Sequence, residues 1–347
     1  MKTRLLAVLL LGALALRLWW RFETESALGA PPTEVVVPQG ASTQSIAEIL
    51  GAAGLVKRPW AFTLLVRLEG DDARMKAGRY RFEGPYSLRD IEKRLVQGDV
   101  ERRAVTFPEG RNVFDMADIV GKAGLKPRVF LAAARNPSAI ADLDPSAETL
   151  EGYLFPETYD LEDKTDEVAL VAAMVKVSRR AFDDLGLSPA GRTIAGIPLN
   201  LRQIVTLASI VELETAAPRE RPRIAGVFLN RLRLGMKLQT DPTVIYALKL
   251  EGRYDGNIRK VDLSSESPYN TYRFAGLPPG PIGSPGRTAL KAVLEPEKTD
   301  ALYFVSRNDG THVFSDTLSA HERAVDEFQR RRSGNGRAIE ASPTPKK

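Results

Sequence analysis

The 347-residue chain has no cysteine. That excludes disulfides, thiolate nucleophiles and cysteine metal sites, and it suits an oxidising compartment. Histidine is almost as scarce. His312 and His321 are the two present. They lie nine residues apart, which is not the spacing of a helical pair of zinc ligands, so no metal is expected. There is no basic stripe either. The 49 Lys and Arg are interspersed with 44 Asp and Glu, for a net charge of +5. Nothing here supports a nucleic-acid partner, and nothing implies a cofactor. The 43% hydrophobic and 27% charged content is that of a globular protein long enough for two or three domains.

What is present begins with a targeting segment over residues 1–24. Lys2 and Arg4 precede twelve apolar residues, Leu5 to Leu16, and Arg17 follows. The run is nearer in length to a signal-peptide core than to a full span. No small-x-small cleavage site follows, and Trp19 and Trp20 suit a membrane interface. We expect an uncleaved single-pass transmembrane anchor in the plasma (inner) membrane. Its N-terminus would be cytoplasmic and the rest of the chain outside the cytoplasm. A linker to residue 32 follows.

A strand–turn–helix unit then occurs twice. Val35-Val36-Val37-Pro38-Gln39-Gly40 is echoed seventy residues on by Val105-Thr106-Phe107-Pro108-Glu109-Gly110. Each copy leads into a helix with apolar periodicity, Ile46, Ile49 and Leu50 in the first and Phe114, Ala117, Ile119 and Val120 in the second. Further helices are predicted from Pro59, from the cap Ser87 and over Asp166 to Leu185. Tyr80 and its neighbours read as a strand. Asn308-Asp309-Gly310 marks a hairpin between Ala301–Val305 and Thr311–Phe314, with a closing helix from Ser319 to Arg330. Residues 331–347 are expected to be disordered.

The chemistry points to Asn200–Thr215. Asn200 is a good N-cap and no Gly or Pro interrupts the run before Pro218, so one helix is predicted. At 100° per residue, Arg202, Gln203, Thr206 and Ser209 gather on one side. Leu201, Ile204, Val205, Ala208 and Val211 gather on the other, and Glu212 projects with them. Glu214 falls near the boundary. Desolvation raises the pKa of such a carboxyl, which is what a general acid needs. A structural ion pair with a nearby arginine is the other reading. Downstream lie polar and aromatic loops, Gln239–Thr243, Tyr269–Tyr272 and Gly276–Gly286. They could line a sugar cleft or merely shape the surface.

The sequence resembles a known family here. Ala208–Thr215, Phe228-Leu229-Asn230-Arg231-Leu232, Leu238–Tyr246, Tyr269-Asn270-Thr271-Tyr272 and Gly276–Ile282 look like motifs of the endolytic murein transglycosylases, the YceG-like family. Leu150–Tyr159 resembles another. Leu213 departs from the pattern, since relatives often carry Lys there. The resemblance implies an α+β fold: an N-terminal anchor, a LysM-like strand–helix module over 33–103 and a second repeat or connecting region over 104–149. A mixed α/β catalytic domain would follow over 150–330.

It also implies Glu212 as the catalytic acid of a peptidoglycan lytic transglycosylase that needs no second carboxylate. Gln239, Tyr269, Asn270 and Tyr272 are candidate sugar contacts, together with Asp241. The implied partners are glycan strands, the membrane and peptidoglycan synthases. Two other functions stay open. One is a lysozyme-type hydrolase using Asp241 or Glu157 as second carboxylate. The other is a non-catalytic glycan-binding scaffold for cell-wall synthases.

Overall fold

The computed structural model describes residues 2–25, 31–100, 103–161 and 165–330. They form two compact units. The first holds the described residues up to Ala104 and those from Asp160 to Thr165. The second holds Val105–Tyr159 and the described residues from Asp166 onward. Most of the expected second repeat or connecting region, 104–149, thus clusters with the described residues from Asp166 onward. The expected disordered tail, 331–347, lies outside the described residues.

The first unit opens with α1 (Lys2–Glu25), followed by β1 (Thr33–Val37), α2 (Thr43–Ala52), α3 (Pro59–Glu69), β2 (Gly78–Phe82) and α4 (Leu88–Gln97). β1 and β2 are antiparallel, with Thr33 opposite Phe82 and Val37 opposite Gly78. Alternation puts Val35, Val37, Tyr80 and Phe82 on one face. Together with Ile46, Leu50, Phe62, Ile91 and Leu95 they make the core. Ser42 caps α2, and Ser87 caps α4 in a reciprocal box with Asp90.

α1 covers the segment expected to anchor the chain. Among the described residues no helix is long and apolar enough to cross a membrane. The C-terminal part of α1 is tied to its own unit. Trp19 stacks on Trp60 at 6.2 Å, and Glu23 pairs with Arg58 at 2.5 Å.

The repeated pattern returns as a repeated order of elements. β3 (Arg103–Thr106), α5 (Val113–Lys122), α6 (Pro127–Ala134) and β4 (Thr158–Leu161) follow the strand–helix–helix–strand order of β1–α2–α3–β2, and β3 pairs with β4. Asn112 caps α5 as Ser42 caps α2. Gly40 and Gly110 take the same left-handed turn, at φ 76° and 77°.

Then come α7 (Glu167–Asp184), the hairpin β5 (Arg192–Ile194) and β6 (Ile197–Leu199), α8 (Leu201–Glu214), α9 (Arg221–Arg233), α10 (Asp241–Leu250) and α11 (Arg287–Leu294). The hairpin β7 (Tyr303–Ser306) and β8 (His312–Ser315) and the helix α12 (Leu318–Val325) complete the chain. Asn200 caps α8 in a box with Gln203. α8 is the centre of this unit and packs against α9, α10 and α11. From Ile204 to Glu212 it is buried all round, because its polar side is covered there too. Thr206 donates to Arg202 O, and Ser209 donates to Thr206 O. Both hydroxyls are thus satisfied away from water.

Candidate active site

The loop before α11 is laced along the polar edge of α8. Arg202 Nε donates to Pro279 O at 2.7 Å. Ile282 N donates to Ser209 Oγ at 3.1 Å, and Gly286 N donates to Glu212 Oε2 at 3.0 Å. These bonds are why a buried helix carries Arg, Ser and Glu. A second segment joins the same loop from far away in sequence. Gly110 N donates to Ser284 O at 2.9 Å, and Ser284 N donates to Arg111 O at 2.9 Å. The turn Pro108–Gly110 is thereby fixed beside the end of α8.

Glu212 has a side chain only 4% exposed. Arg221, from the first turn of α9, donates Nη2 to Glu212 Oε1 and Nη1 to Thr288 Oγ1. Arg221 Nε is buried with no partner among the described residues. The structural ion pair therefore exists, and it coexists with desolvation. Burial pushes the Glu212 carboxyl above the usual range, opposed by the Gly286 N–H and the Arg221 charge.

A third charge reinforces burial. Glu109 raises the Glu212 pKa by its negative charge and by a shared hydrogen bond. Glu109 Oε2 also lies 3.5 Å from Arg221 Nη1. Its carboxylate fills the space over Gly286: a Cβ built there would meet Glu109 Oε1 at 1.7 Å. A glycine at 286 is what lets the two carboxylates approach one another. Glu109, at 44% side-chain exposure, is the solvated member of the pair.

The candidate sugar contacts gather elsewhere in this unit. Tyr272 donates its hydroxyl to Asp241 Oδ1 at 2.6 Å, and Asp241 opens α10. Thr240 donates its hydroxyl to Glu214 Oε1. Burial pushes Glu214 up to about 7. Gln239 is exposed at φ 51°, and its N–H donates to Thr271 O at 3.2 Å. Tyr269 packs on Tyr246 with ring centroids 4.9 Å apart. Asn270 is fully buried. Its amide donates to Leu263 O and Ser265 O, and its Oδ1 accepts from Tyr272 N. It shapes the loop and is not placed to meet a sugar. Glu157 is exposed, and Oε1 accepts from the next residue's N–H at 3.1 Å.

Among the described residues, the groups bonded to the Glu212 carboxylate are thus Arg221, Gly286 and Glu109, not Asp241 or Glu157. Neither Glu109 nor Arg221 stood out as a site residue in the sequence. The signal for Glu109 was the repeat, whose turn carries it.

A buried acid, backed by a guanidinium and coupled to a half-exposed carboxylate, has the make-up of a candidate acid–base centre. A family model described as the YceG-like family matches residues 35–327. The chain belongs to that family. It is similar to a Bacillus subtilis (strain 168) protein named endolytic murein transglycosylase, 31% identical over 309 residues, covering 84% of this chain and 83% of the relative. A Streptococcus pneumoniae serotype 2 protein of the same name is 33% identical over 326 residues. The match covers 84% of this chain, which spans only 58% of that relative's length. A crystal structure of a YceG-like protein from Listeria monocytogenes matches at 30% identity with a TM-score of 0.55, covering 84% of this chain and 98% of that one.

Proposed function

We propose that the chain is a peptidoglycan lytic transglycosylase that cuts between N-acetylmuramic acid and N-acetylglucosamine. The observation that carries this is Glu212, a desolvated carboxyl at the end of a buried helix with a raised pKa. Protonated, Glu212 gives its proton to the glycosidic oxygen as the bond from the muramic C1 breaks. Ionised, it then takes the proton from the C6 hydroxyl of the same sugar. O6 closes on C1, and a 1,6-anhydro end forms. The attack is intramolecular, so no positioned water is needed. The named relatives support the substrate and the endolytic mode, as does the family match. We assign the role of ending or sizing nascent strands, beside peptidoglycan synthases, to the same reading.

Mass spectrometry of muropeptides from glycan strands incubated with the protein tests it. Anhydro ends are the expected product. Reducing ends would mean hydrolysis, and no product would mean a scaffold.

The β1–α2–α3–β2 part of the first unit serves, in this proposal, as a LysM-like glycan-binding module. Deleting residues 33–100 should weaken co-sedimentation with insoluble peptidoglycan while the second unit stays folded. Equal sedimentation would make the module structural. The exposed Leu14, Leu16, Leu18 and Phe22 of α1 would hold the chain at a membrane surface, outside the cytoplasm.

A further inference from the structure

Glu212 has two conflicting duties. As counter-ion of a buried guanidinium it must be ionised. As an acid it must be protonated, which would leave Arg221 a buried charge without balance. The geometry resolves this through its third member. We propose that Glu109 is a positioning residue for the acid: it balances Arg221 whenever Glu212 carries its proton. This rests on the assignment of Glu212 as the acid.

The cluster is Arg221 with two carboxyls, one on each terminal nitrogen. With both carboxyls ionised its net charge is minus one. With one proton bound it is neutral, which is the cheaper state at a buried site. The proton settles on Glu212 because Glu109, half exposed, keeps its charge at less cost. When Glu212 ionises during the reaction, Arg221 is already beside it.

The other acidic groups on the surrounding elements are engaged elsewhere. On α8, Arg202 pairs with Asp144, and Glu214 is bonded by Thr240. On α9 and the turn before it, Arg223 lies near Glu297 and Glu220 pairs with His312. On α11, Arg287 pairs with Asp184 and Lys291 lies near Glu295. Glu109 is the group that can offset Arg221 in place of Glu212.

The test is the pH profile of glycan cleavage by Glu109→Gln, with melting followed in parallel. Cleavage needs protonated Glu212, so the rate falls as pH rises through its pKa. Without the Glu109 charge, Arg221 acts on Glu212 unopposed and holds it ionised. The alkaline limb should move down by about one to two pH units. The rate at pH 7 should drop about tenfold or more and recover as the pH is lowered. Glu109→Asp should restore much of the limb. Gly286→Ala should shift it the same way, because the new methyl displaces the flexible end of Glu109.

A limb that stays in place, or a rate lowered by one factor at every pH, overturns the proposal. Glu212→Gln in the same assay separates the two claims. If that variant is inactive, an unmoved Glu109→Gln limb defeats this proposal alone. If it cleaves at the wild-type rate, the acid assignment fails and this proposal with it.

Discussion

Glu212→Gln should abolish glycan cleavage. The amide keeps the shape but has no acidic proton for the leaving oxygen and no base for the C6 hydroxyl. General acid–base catalysis contributes about 10²–10⁴-fold, and here both halves of the reaction use one group, so a loss of at least that size is expected. Glu214→Gln is the control. Glu214 bonds Thr240 and has no part in the Arg221 cluster, so its activity should stay near wild type. If Glu214→Gln is dead and Glu212→Gln makes anhydro ends normally, the wrong carboxylate has been chosen.

Stability adds a second readout. Considered from the helix alone, a neutral amide at 212 should be neutral or slightly stabilising. Arg221 reverses that expectation. Removing one partner of a buried pair costs about 3–5 kcal/mol when nothing compensates. Glu109 remains on Arg221, so the loss should fall below that range. Glu214 supplies an independent check with a definite sign. Its folded value, about 7, lies above the ordinary 4.5. Its contribution is therefore fully present below about 4.5 and is lost as pH rises through about 7. Glu214→Gln should flatten that part of the stability curve.

Arg221→Met should be the most damaging single change near the site. It leaves Glu212 and Glu109 side by side with no cation and strips Thr288 of its donor. At neutral pH a loss of about 3–5 kcal/mol is expected in chemical denaturation. The loss should shrink on acidification. With no cation, the folded-state pKa of Glu212 rises further, so protonation relieves the repulsion as pH falls. Catalysis should fall as well, because the Glu212 anion formed in the first step has lost its stabilising charge. A penalty that is constant across pH would show that Arg221 acts by packing alone.

Much of this was legible from local signals. Asn200 followed by an uninterrupted run located α8, and the 3.6-residue period put Glu212 on the apolar side. Asn308–Gly310 located the β7–β8 turn, and the seventy-residue echo located two matched turns. Local signals failed where the deciding partner was remote. Glu109 reaches Glu212 only because Gly110 and Arg111 bond Ser284, far along the chain. No periodicity encodes that. Asn270 misled for a related reason. An amide beside two tyrosines suits a sugar, but the loop uses all of it to bond its own backbone.

The two matched turns have unequal contents. The first copy reads Pro38-Gln39-Gly40 and the second Pro108-Glu109-Gly110, with the glycines in the same conformation. Gln39 and Glu109 differ by one amide for one carboxylate on equivalent backbone. The two turns share a backbone conformation at their glycines, and only the second copy has a charge to contribute. Duplication separates the two demands on such a turn. One copy remains a plain structural corner, while its twin is free to acquire a role in chemistry. Glu109→Gln amounts to reverting the specialised twin to the sequence of its sibling, and the chain itself shows that this turn folds with glutamine.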